Sequence, residues 1–474
     1  MRIRVIVILT ISILLAACHA VGPKYKRPVV AAPAEFRGVE LSATFDAGSD
    51  YASLADLRWF EVFKDDQLQE LIRIALVENY DLRDAVARVD AARASLGITR
   101  SEQFPNIAAN VATTTVRTST GGAVPLFPGA SQNRTFGGIA LNILSYEPDV
   151  WGRLRLETEA SRAGLLASEE NRKAVVTTLV GDVAAAYFNL IELDRELEIA
   201  KNTLNTRRNS LQLIQTRESR GLATILEVRQ GEQLVYTAER AIPNIEESIE
   251  RTENQISLLV GHSPSAITRG TRLEDQVQPP SVPAGLPSAL MERRPDIQLA
   301  EDKLIGANAE IGVAKAAYFP RISLTGLLGF QSGQLSKLFT GPTGVWQFVP
   351  QISQPIFNGG SLRANVDLAT AQQNIALIGY ERTIQTAFRE VSDALVQYQK
   401  VREVRGKQEL LVTTLQDRSR LSYLRYTGGV DTLLSALDAD RDLFDAELGL
   451  VQSRRDELLA LVQLYRALGG GWQE

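Results

Sequence analysis

Cysteine is almost missing from this chain. Cys18 is the only one in 474 residues, so no disulfide can form within it. Histidine is nearly as scarce, with His19 and His262 alone, which argues against metal sites of the zinc kind. There is no Gly-rich phosphate loop, no nucleophile elbow and no Ser/His/Asp set, so nothing points to an enzyme or a bound cofactor. Charge of one sign is also lacking: 51 basic residues stand against 56 acidic ones. No basic block or basic-aromatic stripe supports nucleic-acid binding. Beyond the amino-terminal leader no run of about 18 apolar residues occurs, so no internal transmembrane helix is expected.

The leader is informative. Arg2 and Arg4 precede an apolar run from Val5 to Ala17, too short to span a bilayer by the roughly 20-residue rule. It reads as a secretory signal over 1–17, ending Leu15-Ala16-Ala17-Cys18. That ending resembles the bacterial lipobox, which implies cleavage before Cys18 and acylation of Cys18, palmitate included. Each acyl methylene adds roughly 0.8 kcal/mol of membrane affinity, so several chains anchor permanently. His19 stands where inner-membrane lipoproteins usually carry Asp, and by that analogy the outer membrane is expected.

The rest is written twice. Tyr80-Asp81-Leu82 through Phe104-Pro105-Asn106-Ile107 aligns with Pro295-Asp296-Ile297 through Phe319-Pro320-Arg321-Ile322. Pro148 meets Pro355, Leu154-Arg155 meets Leu362-Arg363, Gly221 meets Gly429, and Val260-Gly261 meets Leu468-Gly469. A repeat of this length implies one structural unit used twice. We divide the chain into the leader 1–17, an anchored segment 18–76, repeats over 77–261 and 295–469, a linker 262–294, and a tail 470–474.

Each repeat opens with an Ala-rich helical stretch, 77–103 and 295–318, halted at Phe-Pro because proline disfavours helix in the residue before it. Period-two patterning follows. Ile322, Leu324, Gly326, Leu328 and Phe330 alternate with Arg321, Ser323, Thr325, Leu327 and Gly329, and Ile107, Ala109 and Val111 form a weaker version. Second strands are expected near 134–147 and 345–354, after Gly/Pro-rich loops at 119–132 and 333–344. Then Val176, Val183, Leu190, Leu197, Leu204 and Leu211 recur every seventh residue. Leu179, Ala186, Leu193, Ala200, Arg207 and Ile214 follow three residues behind. Apart from Arg207 this is the seam of a supercoiling helix. The helix should run over 153–219, roughly 100 Å at 1.5 Å per residue. Its counterpart, 361–427, has a weaker seam interrupted by Arg405, Gln408, Ser419 and Ser422, which either face water in a lumen or mark poorer packing. Gly221 and Gly428-Gly429 stop the long helices. A shorter helix follows each, with Pro243 expected to kink the first.

A spanning strand needs roughly 9–11 residues, and a barrel in lipid must close. Two hairpins give four strands, while transmembrane barrels need about eight or more. Chains must therefore share one barrel; two, three or four chains would give eight, twelve or sixteen strands, and strand counting does not choose.

Val21-Gly22-Pro23-Lys24-Tyr25-Lys26-Arg27-Pro28, Glu147-Pro148-Asp149-Val150-Trp151-Gly152-Arg153 and residues 428–439 (GGVDTLLSALDA) resemble the outer membrane factor, or TolC-like, family. The resemblance is to its lipoprotein branch in multidrug-efflux and nodulation systems and covers nearly all the mature chain. It implies a mainly α fold with a β-barrel part: a homotrimer sharing a twelve-stranded transmembrane barrel above a long α-helical periplasmic barrel. It implies a passive exit duct of a tripartite pump, with a periplasmic adaptor and an inner-membrane transporter of the RND type as partners. Alternatives are a duct for ABC-type protein secretion and a poreless, lipid-tethered coiled-coil scaffold.

The resemblance also supplies an aperture. The turns near Gly221 and Gly429 would form the periplasmic tip, with Gly221, Leu222, Gly429 and Val430 meeting the adaptor. Leu434, Asp438 and Arg441 share one helix face by spacing, and in the family that face lines the closed pore. Three Asp438 carboxylates about 6 Å apart would repel by roughly 3 kcal/mol per pair at an effective dielectric near 20. They must be hydrated, paired with Arg441, or bound to a cation. Ser435 stands where many relatives carry a second acid. Glu227 and Tyr426 occupy positions that link the coils in relatives, and a Glu227–Tyr426 hydrogen bond is expected in the closed state.

Overall fold

The computed structural model describes residues 20–33, 36–37, 53–119, 131–277 and 287–472. The leader and Cys18 lie outside the described residues, as do most of the first hairpin loop and the end of the tail. Elements in chain order are α1 (Trp59–Val62), α2 (Asp66–Glu78), α3 (Tyr80–Ser101), β1 (Asn106–Arg117), β2 (Asn133–Tyr146), α4 (Arg153–Ser219), α5 (Ile225–Leu259), α6 (Pro287–Arg293), α7 (Pro295–Ala316), β3 (Arg321–Ser332), β4 (Gly344–Ser353), α8 (Ser361–Thr427) and α9 (Leu433–Ala467). The two long helices span 153–219 and 361–427, as their bracketing residues predict. The first Ala-rich stretch differs from expectation, because it breaks at Asn79. The Asn79 side chain accepts from Leu82 N at 2.9 Å and so begins α3 afresh. Pro243 sits inside α5 with helix assigned on both sides.

The chain forms two compact units, each drawing on both repeats. The first holds Met1–Val29, Val89–Ala167 and Ala300–Tyr380. Its centre is a four-stranded antiparallel sheet in the order β1-β2-β3-β4. Register sorts the side chains onto two faces. Ile107 pairs with Ile143, Leu141 with Leu328, Leu328 with Trp346, and Ile322 with Ile352. Ile107, Val111, Leu141, Leu328, Trp346, Phe348 and Ile352 thus share one apolar face, and all are exposed. The opposite face carries Asn110, Thr114, Asn142, Thr325, Gln331 and Gln347. The hairpins meet at β2–β3, where the ladder shifts between Ile143 and Tyr146 and Ser145 takes a positive φ of 46°.

The strand-to-helix junctions interlock within this unit. Trp151 stacks on Phe319 at 4.8 Å and donates its indole N–H to Pro320 O at 2.8 Å. Glu147 accepts from both Arg153, at 3.0 Å, and Arg321, at 2.6 Å. Residues 20–28 lie along the same unit. Val21 N donates to Trp151 O at 3.0 Å, and Glu301 holds both Tyr25 and Arg27. Burial first, then the Glu301 charge, raises the Tyr25 phenol above its ordinary range.

The second unit holds Val30–Arg88, Ser168–Leu299 and Glu381–Glu474. Asp65, almost fully buried, is its hub. One carboxylate oxygen caps α2 through Gln67 N and Leu68 N; the other accepts from Tyr187 Oη, Thr271 N and Gln276 Nε2. Both repeats tie off their last helix the same way. Asn79 Nδ2 donates to Leu259 O at 2.9 Å, and Arg294 Nη1 donates to Ala467 O at 3.0 Å. The α4 helix does contain a window apolar enough to cross a membrane, against the expectation of none; 61% of that window is buried inside the chain. Its apolar side chains, such as Val183 and Leu190, belong to the core.

Candidate aperture residues at the helical turns

The turn from α4 to α5 and the turn from α8 to α9 close alike. Gly221 and Gly429 both have φ +73°, a backbone region that L side chains rarely adopt. Leu222 N reaches back to Arg217 O at 2.8 Å, and Val430 N to Arg425 O at 3.0 Å. These six-to-one bonds satisfy carbonyls that a helix end leaves open. Leu222 and Val430 project outward and are exposed.

The starts of the following helices differ. At α5, Thr224 Oγ1 accepts from Glu227 N at 3.3 Å while Glu227 Oε2 accepts from Thr224 N at 2.6 Å. This capping box satisfies two free N–H groups at once. Glu227 is thereby committed locally, and the expected bond to Tyr426 is not formed. Tyr426 instead packs in a cluster with Ile214, Val228, Leu433, Ala436 and Leu437. Its hydroxyl is buried without a partner among the described residues, and the Arg217 guanidinium lies 4.7 Å from its ring. Burial raises the Tyr426 phenol; Arg217 opposes that shift and Glu227 adds to it.

At α9 the sequence reading missed Asp431. It accepts from Thr432 N at 2.8 Å and Ser435 Oγ at 3.0 Å, and pairs with Arg425 at 3.1 Å. These bonds, the one from Thr432 N foremost, hold its carboxyl below the ordinary range. Ser435 therefore donates to an acid one turn earlier. An Asp directly before Thr at a helix start was the available signal.

Leu434, Asp438 and Arg441 do share a face, and it is turned away from the buried residues Leu433, Ala436, Leu437, Asp440 and Phe444. Asp438 and Arg441 form an ion pair at 3.5 Å, one of the three ways its charge could persist. Both groups are wet, so the pair adds little stability. Arg441 also reaches Asp442, which pairs with Arg418 on α8 at 2.8 Å.

Three of the flaws in the two seams have partners. Arg207 is buried and pairs with Asp440 at 2.8 Å. Arg405 pairs with the buried Glu457 at 3.1 Å, and Gln408 donates to Ala446 O at 3.0 Å. Arg405 and Gln408 join α8 to α9, which favours the packing alternative at those two positions; Ser419 is buried as well.

A family model described as outer membrane efflux protein matches residues 71–262 and 286–470, both repeats. The chain belongs to the outer membrane efflux protein family. Among relatives, the toluene efflux pump outer membrane protein TtgC of Pseudomonas putida is 38% identical over 470 residues, covering 98% of this chain and 94% of that one. The antibiotic efflux pump outer membrane protein ArpC of Pseudomonas putida matches at the same identity and coverage. The MtrE outer membrane channel of Neisseria gonorrhoeae, solved in its open state, superposes with a TM-score of 0.86 at 32% identity, over 96% of this chain and 99% of that one. Like other outer membrane efflux proteins, this chain is an outer-membrane channel with a large periplasmic part, built of a helical barrel and a β part. Outer membrane efflux proteins serve with an adaptor and an inner-membrane transporter as exit ducts.

Proposed function

We propose that this chain assembles as a homotrimer, anchored by acylated Cys18, and passes small organic molecules outward from an RND-type transporter. The observation that carries the reading is the sheet in the first unit. One face is apolar and exposed, the other mixes Asn, Thr and Gln with a few apolar residues such as Leu327 and Val349, and β1 and β4 each have a single neighbour among the described residues. In lipid an open edge is costly, so β4 of one copy pairs with β1 of the next. Three copies of a four-stranded sheet make a twelve-stranded barrel. Strands of 12, 14, 12 and 10 residues suffice to cross the hydrocarbon core. Relatives named for toluene and antibiotic efflux support small organic cargo. The face of Leu434, Asp438 and Arg441 lines the aperture, and the exposed Leu222 and Val430 at the glycine turns meet the adaptor.

Mass measurement of the detergent-solubilised particle tests the assembly, with three chain masses expected. In planar bilayers the particle should give discrete channels that divalent cations close through Asp438. A monodisperse monomer, or silence in bilayers, would overturn the reading.

A further inference from the structure

Arg207 is the one break in an otherwise apolar seam, and its surroundings are specific. The guanidinium pairs with Asp440 on α9 at 2.8 Å, donates from Nη1 to Leu234 O on α5 at 3.1 Å, and sits 5.0 Å from the Phe444 ring centroid. One α4 side chain therefore grips both neighbouring helices. It also interrupts their apolar packing: Leu204, Val235 and Ala238 cluster on one side, and Ile214, Val228, Tyr426, Leu433, Ala436 and Leu437 on the other. Arg207 Nη2 is buried with no partner among the described residues. A pair with an unmet donor is a poor way to gain stability, since apolar residues of like volume do as well or better. Its best-attested use is to fix registry.

Asp440 lies two residues beyond Asp438, so the two point to opposite sides of α9. While Arg207 holds Asp440 inward, Asp438 and Leu434 are kept outward. Room for the alternative exists, because Asp440, Phe444, Ser419 and Tyr423 border a cavity of about 420 Å³.

We propose that the Arg207–Asp440 pair is a registry lock that fixes the rotation of α9 about its own axis and so holds the aperture face in the orientation it has here. Arg207 and Asp440 are positioning residues: they act on the aperture through α9. The proposal rests on the exit-duct reading above.

Purified full-length oligomer in planar bilayers tests it, with thermal midpoints measured in parallel. The variants are Asp440→Asn, the apolar pair Arg207→Met with Asp440→Leu, and the reversed pair Arg207→Asp with Asp440→Arg. Asp440→Asn and the apolar pair should shift open probability by about tenfold, a typical coupling between two states, and the reversed pair should return it toward wild type. The apolar pair should keep or raise the midpoint, and it decides the matter if Asp440→Asn fails to assemble. Wild-type open probability in the folded apolar pair would overturn the lock, as would variants that shift the midpoint alone. Absence of discrete channels from the wild type would instead overturn the duct reading.

Discussion

Replacing Gly329 with alanine should damage the sheet more than any exposed position in a strand suggests. Gly329 pairs with Ala140 in the β2–β3 ladder that joins the two repeats. A Cβ added there would lie 2.6 Å from Ala140 Cα and 2.7 Å from Ala140 Cβ, and would press closer still on Ile139 O. Facing Cβ atoms in an antiparallel sheet normally stand roughly 4.5–5.5 Å apart. Two of the three obstructing atoms are backbone, so no rotamer change relieves the overlap. Overpacking of this kind costs about 1–3 kcal/mol. If unfolding releases the strain, the rate rises by about 5- to 150-fold at fixed temperature. Gly326, in the same strand, is the control: a Cβ there meets Ile143 Cδ1 at 3.6 Å, an ordinary contact. The assay is the half-life of the folded oligomer in detergent at a fixed elevated temperature, read by its loss of compact gel mobility. Equal half-lives for Gly329→Ala and Gly326→Ala would refute the argument.

Three further outcomes are expected. Tyr426→Phe removes a buried hydroxyl with no partner, so it should leave stability unchanged or raise it by up to about 1–3 kcal/mol; a fall in the thermal midpoint would show a bond that is not seen here. Glu227→Ala should cost about 0.5–2 kcal/mol of capping, seen as faster amide exchange over residues 225–228, with Glu227→Gln milder. Burial, then the charge of Glu196, pushes the Glu192 carboxyl up to about 8. The unfolded chain releases this proton at lower pH than the folded one, so stability should decline as pH rises from the ordinary carboxylate range to about 8 and then level off. Glu192→Gln should flatten that slope between the ordinary carboxylate range and about pH 8, and parallel curves for the two proteins would exclude the burial account.

The long helices were legible because both ends carry local signals: a positive-φ glycine after each, and a Pro-containing junction before each. The strands were legible from alternation alone, and the register then placed Leu328 and Trp346 on one face as the pattern required. What escaped was either masked by a stronger pattern or set by distant residues. The Asn79 break hides inside an Ala-rich stretch that remains helical on both sides. The partner of Arg207 is 233 residues away, so the seam could show a flaw at that position but not what answers it. The local hold on Glu227 escaped for the opposite reason. Resemblance pointed it at a distant tyrosine, while Thr224, three residues earlier, offered two nearby hydrogen bonds.

The matching closures at Asn79–Leu259 and Arg294–Ala467 make each half of the polypeptide a self-terminated module. In the proposed trimer, six such halves would follow one another around the axis, joined in adjacent pairs. The halves are free to diverge wherever six-fold equivalence is not needed. They have done so just past the glycine turns: Gln230 and Gln233 occupy the places in the first half that Asp438 and Arg441 hold in the second. In the proposed trimer, the charges of Asp438 and Arg441 would then recur three times around a wall whose helices recur six times.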